Sequence, residues 1–234
     1  MKPILIKSIT WIILFSIAMA YLESAVVVYL REIYYPDGFV FPLTPIKATI
    51  AVTEFWREVA TLVMLVGIGI LTGKSAAQRL AFFLLSFAIW DIFYYVFLYL
   101  ISGWPSSLMT WDILFLVPVP WVGPVLTPVI VSVLMIALAF CLIRFNKSLN
   151  KQEWSFSILG SLIIIISWVL DYWNFSSTLS SANIWNVSAS EGLFETSNPY
   201  IPSSFNWYIF IVGVLIITIT ILSFYIRNNK NSKS

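Results

Sequence analysis

Five charged residues stand inside long apolar stretches of this 234-residue sequence: Glu23, Glu54, Arg57, Glu58 and Asp91. Glu54, Arg57 and Glu58 are three and four residues apart, so a helix projects all three from one face. Two carboxylates one helical turn apart repel each other, and this repulsion favours the uptake of a proton by one of them. A group of oxygen ligands also suits a hard cation such as Ca²⁺, Mg²⁺ or Mn²⁺, and no other cofactor is expected. The spacing therefore predicts a site for a proton, an ion or a substrate.

The residues predicted to bind there carry carboxylate, guanidinium or phenol groups: Glu23, Glu54, Arg57, Glu58, Asp91 and Tyr94. Tyr94 and Tyr95 share the helix face of Asp91, and a tyrosine hydroxyl can donate a hydrogen bond to a carboxylate. A further four residues are predicted to surround the site: Arg31, Tyr95, Asp112 and Asp171.

The same charges allow a purely structural interpretation. Arg57 could pair with Glu23, Glu54 or Glu58 and so lock three helices together. An Asp or Arg at mid-membrane costs about 2.5–3.5 kcal/mol on the insertion scale, so these groups must meet each other or water. Because carboxylates outnumber the single arginine in these stretches, we expect a binding role rather than scaffolding alone.

The composition indicates that the chain carrying these charges is a membrane protein. Of all residues, 60% are hydrophobic and only 10% are charged, whereas a soluble domain carries about a quarter charged residues. Charges this sparse cannot cover a water-facing surface, which excludes a soluble globular enzyme and a disordered chain. The absence of histidine and the single cysteine exclude His-based triads, most zinc sites and disulfides within the chain. A net charge of +2 gives no basis for binding nucleic acid.

Six stretches contain the roughly 20 apolar residues that a helix needs to cross the bilayer core: 8–30, 49–72, 78–101, 124–143, 155–173 and 206–226. The predicted fold is therefore an all-α bundle of six transmembrane helices that forms one domain over residues 1–234. Ten of the 13 Lys and Arg residues fall at the N-terminus, in the second and fourth connections and in the C-terminal tail. Positive charge collects on the cytoplasmic side. We therefore expect a multi-pass protein of the plasma or inner membrane with both termini inside, and the charged group in the outer half.

Two outer connections are predicted to have structure of their own. Residues 102–123 contain several prolines and glycines, so we expect a broken or re-entrant segment before the fourth helix. Residues 174–205 are rich in Ser and Asn and are predicted to form an outer cap loop. Besides the lipid bilayer, the expected partner is another membrane protein bound through these outer loops.

The first stretch also resembles a signal peptide, because Ala18-Met19-Ala20 provides the small residues of a cleavage site. The apolar run nevertheless continues to Leu30, whereas the apolar core of a signal peptide has only about 7–15 residues. We expect an uncleaved helix; cleavage would leave five spans.

Four short motifs resemble segments of uncharacterised bacterial multi-pass membrane proteins: Tyr21-Leu22-Glu23-Ser24-Ala25, Arg57-Glu58-Val59-Ala60-Thr61, Trp90-Asp91-Ile92-Phe93-Tyr94-Tyr95 and Trp111-Asp112-Ile113-Leu114. The resemblance covers roughly the first 130 residues. It implies a bacterial integral membrane protein and carries no activity with it.

Three classes of function follow from these observations. The charged layer favours a small transporter or an ion- or proton-coupled pathway, although the inner half offers little polar path. The first alternative is a membrane-embedded enzyme acting on a lipid or polyprenyl substrate, with a carboxylate as general base and Arg57 or Arg31 binding an anionic head group. No recognisable nucleophile or metal motif supports it. The second alternative is a non-catalytic assembly or sensor subunit.

Overall fold

The computed structural model describes residues 3–44, 46–179 and 200–231 of the chain. Over these residues the fold consists of six long helices and one β-hairpin. The helices are α1 (Pro3–Tyr34), α2 (Ala48–Thr72), α3 (Ala76–Ser102), α4 (Leu126–Phe145), α5 (Lys151–Leu179) and α6 (Trp207–Asn231), and the strands are β1 (Trp111–Phe115) and β2 (Trp121–Pro124). All six helices are long and apolar enough to cross a membrane. This confirms the prediction of six such helices and fits a multi-pass membrane protein.

Local sequence sets where several helices begin and end. The hydroxyl of Ser75, just before α3, accepts a hydrogen bond from the backbone N–H of Gln78 at 3.2 Å. At the start of α5, Asn150 and Glu153 each accept the other's backbone N–H with their side chains, at 2.9 and 2.8 Å, which is a reciprocal capping box. Helix α3 ends at Gly103, whose φ of 71° lies in the left-handed region that glycine adopts without steric cost.

The helices pack in two groups. Helix α3 is the centre of the first group and contacts α1, α2 and α4; the hydroxyls of Ser16 and Ser86 lie 2.8 Å apart where α1 meets α3. Helices α5 and α6 form the second group and approach each other at Gly160 and Gly213. A Cβ on Gly213 would lie 2.6 Å from the side chain of Ile164. Small residues therefore permit close helix contact at both places.

The proline-rich stretch between α3 and α4 is an antiparallel β-hairpin rather than a broken helix. Asp112 of β1 pairs with Gly123 of β2. Pro118 and Pro120 lie in the connection between the strands, where a missing N–H removes no ladder hydrogen bond. Strands replace the broken helix that was one of the two predicted alternatives, because prolines interrupt helical hydrogen bonding whereas strand pairing satisfies the remaining backbone groups. The other alternative, a re-entrant segment, stays a prediction.

Helix α5 also continues further than predicted. It ends at Leu179, so the first residues of the predicted cap loop 174–205 are helical. The end of this helix is held by aromatic contacts: the rings of Tyr172 and Phe175 lie 5.4 and 5.0 Å from the ring of Tyr200. Residues 180–199, which make up most of the predicted cap loop, lie outside the described residues.

The two ends of the bundle differ in polarity. One end of the bundle contains the C-termini of α1, α3 and α5, and the hairpin lies beside it. We call it the hairpin end. An apolar core fills the opposite end and includes Ile12, Phe82 and Leu142. A second apolar cluster lies between that core and the hairpin end, and we call it the closing layer; it consists of Met19, Ala20, Leu65 and Trp90.

Candidate functional site

A cavity of about 170 Å³ opens at the hairpin end between α1, α2, α3, β1 and the segment that joins α1 to α2. Five carboxylates, two arginines and two tyrosines from the predicted site line it: Glu23, Arg31, Glu54, Arg57, Glu58, Asp91, Tyr94, Tyr95 and Asp112. The structure therefore brings together nine of the ten residues that the sequence singled out. The tenth, Asp171, lies elsewhere.

Arg57 connects α1 to α2 through two carboxylates. Its Nη1 donates a hydrogen bond to Oε1 of Glu23 on α1. Its Nε and Nη2 lie 2.8 and 2.7 Å from Oε2 of Glu54, one turn earlier on α2. Thr61 adds a hydroxyl donor 3.3 Å from Oε2 of Glu23. The structural interpretation therefore accounts for Glu23 and Glu54, which both neutralise one guanidinium.

Glu58 and Asp91 have different surroundings. Oε2 of Glu58 accepts the backbone N–H of Leu116 at 2.8 Å, and Oδ2 of Asp91 accepts the hydroxyl of Ser132 at 2.8 Å. Within the part of the chain that the structure describes, neither carboxylate has a Lys or Arg nitrogen within 4.0 Å. Both donors are neutral, so the structural interpretation leaves these two acids unexplained.

A second ion pair joins α1 to the hairpin. Nη2 of Arg31 lies 3.3 Å from Oδ1 of Asp112, and the hydroxyl of Tyr95 donates to Oδ2 of Asp112 at 3.1 Å. The guanidinium carbon also lies 4.3 and 3.7 Å from the ring centres of Phe39 and Trp104, within the range of a cation–π interaction. Burial raises the pKa of the Asp112 carboxyl to about 6, although Arg31 and Tyr95 favour its ionised form.

Asp171 does not belong to this cavity. Its carboxylate accepts hydrogen bonds from the hydroxyls of Tyr200 and Ser203, both at 2.6 Å, and from the backbone N–H of Ser204 at 3.3 Å. The prediction placed it near the site because it lies towards the same end of its helix. The packing separates it, since the main contacts of α5 are with α6 and β2.

Sequence reasoning missed several residues of the site. Thr61 lies three and four positions after Glu58 and Arg57, so helical spacing could have found it. Trp90 lines the cavity beside Asp91 and had no signal of its own. Ser132 and the backbone N–H of Leu116 come from α4 and the hairpin, and their approach depends on packing alone.

The cavity is closed towards the opposite end of the bundle. Met19, Ala20 and Leu65 are buried. Each lies one to two helical turns from an acidic residue of its own helix, on the side of the opposite end. Beyond them lie the hydroxyl pair of Ser16 and Ser86 and then the apolar core. In this conformation, these buried residues separate the cavity from the opposite end of the bundle.

The acids are spread around the cavity rather than gathered at a point. Among the residues that the structure describes, no three His, Cys, Asp or Glu side chains lie close enough together to hold a metal ion. The arrangement thus offers the hard cation considered above no ready-made set of ligands.

The chain was compared with protein-family models, with curated proteins and with solved structures, and none of the three comparisons found a match.

Proposed function

We propose that the chain is a small proton-coupled transporter of the plasma or inner membrane, and that the cavity is its site for protons and solute. The observation that carries the proposal is the state of Glu58 and Asp91. Both line the cavity, and neither forms an ion pair within 4.0 Å with a Lys or Arg of the described residues. Ionisable residues within a membrane are expensive and commonly mark ion, proton or substrate pathways. An acid held by neutral donors can accept and release a proton without breaking an ion pair.

Other charged groups set the balance of protonation at these two acids. They come from every element around the cavity and are Glu23 and Arg31 on α1, Glu54 and Arg57 on α2, Tyr94 and Tyr95 on α3, and Asp112 on β1, while α4 contributes the neutral Ser132. Because Arg57 and Arg31 each face carboxylates of their own, they do not remove the surplus negative charge of the cavity.

The orientation proposed for the bundle places the hairpin end outside. The connections at the opposite end and the helix ends beside them carry Lys74, Arg144, Lys147 and Lys151, and basic residues collect on the cytoplasmic side of membrane proteins. Protons would then enter the cavity from the outside, where the proton concentration of an energised bacterial membrane is higher.

A reporter enzyme that is active only outside the cytoplasm tests this orientation. We expect activity when it is fused after Asn186 and none when it is fused after Lys74 or Lys151, because the positive-inside rule retains those two connections in the cytoplasm. A reporter active only in the cytoplasm provides the control and should show the opposite pattern. Activity of the first reporter at Lys74 would contradict the proposed orientation.

A cavity that the closing layer separates from the opposite end of the bundle corresponds to one state of a carrier. Alternating access requires that the closing layer separate while the hairpin end closes. Protonation of Glu58 and Asp91 removes the negative charge that opposes closure around the cavity, and a conformational equilibrium shifts by the difference in free energy that protonation makes between the two states. Neutral substitutions at both positions should therefore favour the state that is open to the cytoplasm.

The single cysteine of the chain makes a direct test practical. In a Cys141→Ser background, Ala20→Cys reports on the closing layer and Val27→Cys reports on the cavity wall. We expect a membrane-impermeant maleimide to label Val27→Cys from outside. Adding Glu58→Gln and Asp91→Asn should raise the labelling of Ala20→Cys from the cytoplasmic side at least about tenfold, which corresponds to about 1.4 kcal/mol.

Asp171→Asn is the matched control, because it also neutralises an acid near the hairpin end but lies outside the cavity. It should leave both labelling rates unchanged. If Ala20→Cys stays unreactive from the cytoplasm in every background, the transporter proposal fails.

The closing layer also favours one alternative, a membrane-embedded enzyme acting on a lipid or polyprenyl substrate. Such an enzyme needs a cavity open at one end and never needs to separate the closing layer. Arg31 would bind an anionic head group, since its Nη1 is buried and has no hydrogen-bond partner among the described residues. The cysteine experiment separates the two functions, because the enzyme keeps Ala20→Cys protected.

A further inference from the structure

We propose that the cavity binds a small organic amine that also carries a hydrogen-bond acceptor. Its ammonium group would lie against Glu58 and Asp91, and its acceptor would receive the indole N–H of Trp90. This inference names the substrate class of the proposed transporter and rests on that proposal, but the binding itself can be tested without transport.

The charge distribution of the cavity favours the binding of a cation at Glu58 and Asp91. Arg57 forms ion pairs with Glu23 and Glu54, and Arg31 forms one with Asp112, so both arginines of the cavity already have carboxylate partners. Glu58 accepts hydrogen bonds from the backbone N–H groups of Leu116 and Val117, and Asp91 accepts one from the hydroxyl of Ser132, so the donors to both carboxylates are neutral. An ionised carboxylate offers about four acceptor positions, and both groups can therefore still accept hydrogen bonds from an ammonium ion.

Trp90 is an independent sign of a ligand. The residue is only 7% exposed and belongs to the lining of the same cavity. Its Nε1 has no hydrogen-bond partner within the residues described. Because buried polar groups in native proteins are nearly always hydrogen-bonded, we infer that a bound ligand supplies the acceptor for this N–H.

The rest of the wall suits an organic cation better than a metal ion. Tyr34, Tyr94 and Phe115 line the cavity, and the faces of aromatic rings attract cations. Within the described residues, no three His, Cys, Asp or Glu side chains form a group that could hold a metal ion. The volume of about 170 Å³ is close to that of a cavity of about 150 Å³ known to hold benzene, so the ligand has few non-hydrogen atoms.

Three probes of equal size test the two halves of the proposal: ethanolamine, propylamine and ethylene glycol. The concentration dependence of the thermal stability of the detergent-solubilised full chain gives an apparent dissociation constant for each. We expect ethanolamine to bind at least about fivefold more tightly than propylamine, because only ethanolamine offers an acceptor to Trp90. Ethylene glycol should not stabilise the protein where ethanolamine saturates. Equal stabilisation by ethylene glycol would overturn the proposal.

Two variants assign the contacts. Trp90→Phe should bring ethanolamine to within about twofold of propylamine and leave propylamine unchanged, since it removes only the N–H donor. Glu58→Gln with Asp91→Asn should weaken both amines at least about tenfold, and Asp171→Asn should leave both within about twofold. The ratio of the two amines in the parent protein needs no variant, so the proposal stays falsifiable even where Trp90→Phe fails to fold. Unchanged amine binding in the double acid variant contradicts it.

The same ammonium group occurs in phosphatidylethanolamine, so the source must be distinguished. The two sources can be separated in nanodiscs of phosphatidylglycerol. If the ligand is a lipid, added phosphatidylethanolamine should stabilise the protein and free ethanolamine should have no further effect. If the ligand is soluble, free ethanolamine should stabilise the protein and added phosphatidylethanolamine should not. Both outcomes support the amine site. Stabilisation by MgCl₂ or CaCl₂ but by neither amine source would show a metal site instead.

The two proposals can fail separately. If amines bind while Ala20→Cys stays protected from the cytoplasm, the cavity is an amine site of a protein that does not transport. If the cysteine becomes accessible while no amine binds, transport stands and this substrate class is wrong.

Discussion

Replacing Arg57 by methionine should lower the free energy of unfolding by about 3–5 kcal/mol, because removing one partner of a buried ion pair leaves its counter-charge unpaired. Two carboxylates, those of Glu23 and Glu54, lose their cation at once. Glu58→Gln should cost about 1 kcal/mol or less, since Glu58 is not bonded to Arg57 and the glutamine carbonyl can still accept the N–H of Leu116. Reversible unfolding in mixed detergent micelles measures both values.

The control for this prediction removes the whole group of charges. Arg57→Met combined with Glu23→Gln and Glu54→Gln leaves no charge unpaired, so it should recover most of the stability that Arg57→Met alone loses. The outcome that contradicts our assignment is a loss for Glu58→Gln as large as the loss for Arg57→Met. It would mean that Glu58 is the structural partner of the arginine and that the unpaired acid of the cavity lies elsewhere.

Replacing Arg31 by methionine should have an effect of similar size, about 3–5 kcal/mol. The carboxylate of Asp112 is buried and would lose the only cation near it among the described residues. The rings of Phe39 and Trp104 would also lose their contact with the guanidinium, a contribution of about 0.5–2 kcal/mol. Thermal unfolding in detergent provides the measurement.

Two further variants separate charge from stacking at this position. Arg31→Lys keeps the charge but not the planar group that contacts both rings, so we expect a loss smaller than that of Arg31→Met. Arg31→Met with Asp112→Asn removes both charges, keeps an acceptor for the hydroxyl of Tyr95, and should be more stable than Arg31→Met alone. Additive losses in this double-mutant cycle would show that Arg31 and Asp112 do not depend on each other.

Local features of the sequence predicted all six long helices. A long apolar run predicts a helix without knowledge of its neighbours, which is why all six were found. Helical spacing is equally local, so it placed Glu54, Arg57 and Glu58 correctly on one face of α2, at the same end of the bundle as Asp91. The boundaries were less accurate at α5, because its last turns depend on contacts with Tyr200.

The sequence could not predict the hairpin or the place of Asp171. Apolar residues mixed with prolines are compatible with a broken helix and with short strands alike, and only pairing between β1 and β2 decides between them. Asp171 lies at the same end of the bundle as the site, but depth along a helix does not determine which neighbours a helix contacts.

The sequence alone determined that acidic groups gather in one layer at one end of a bundle of apolar helices, because composition and helical spacing act within each helix. Only the tertiary structure decided which acids are neutralised. Helical spacing allows Arg57 to pair with Glu54, three residues earlier on α2, but it does not show that Glu23 of α1 shares the same guanidinium. The approach of Glu23 from α1 holds the guanidinium on the side of Glu54, while the hairpin brings the N–H of Leu116 to Glu58. That choice depends on how three separate elements pack, and it leaves Glu58 and Asp91 with no Lys or Arg nitrogen of the described residues within 4.0 Å.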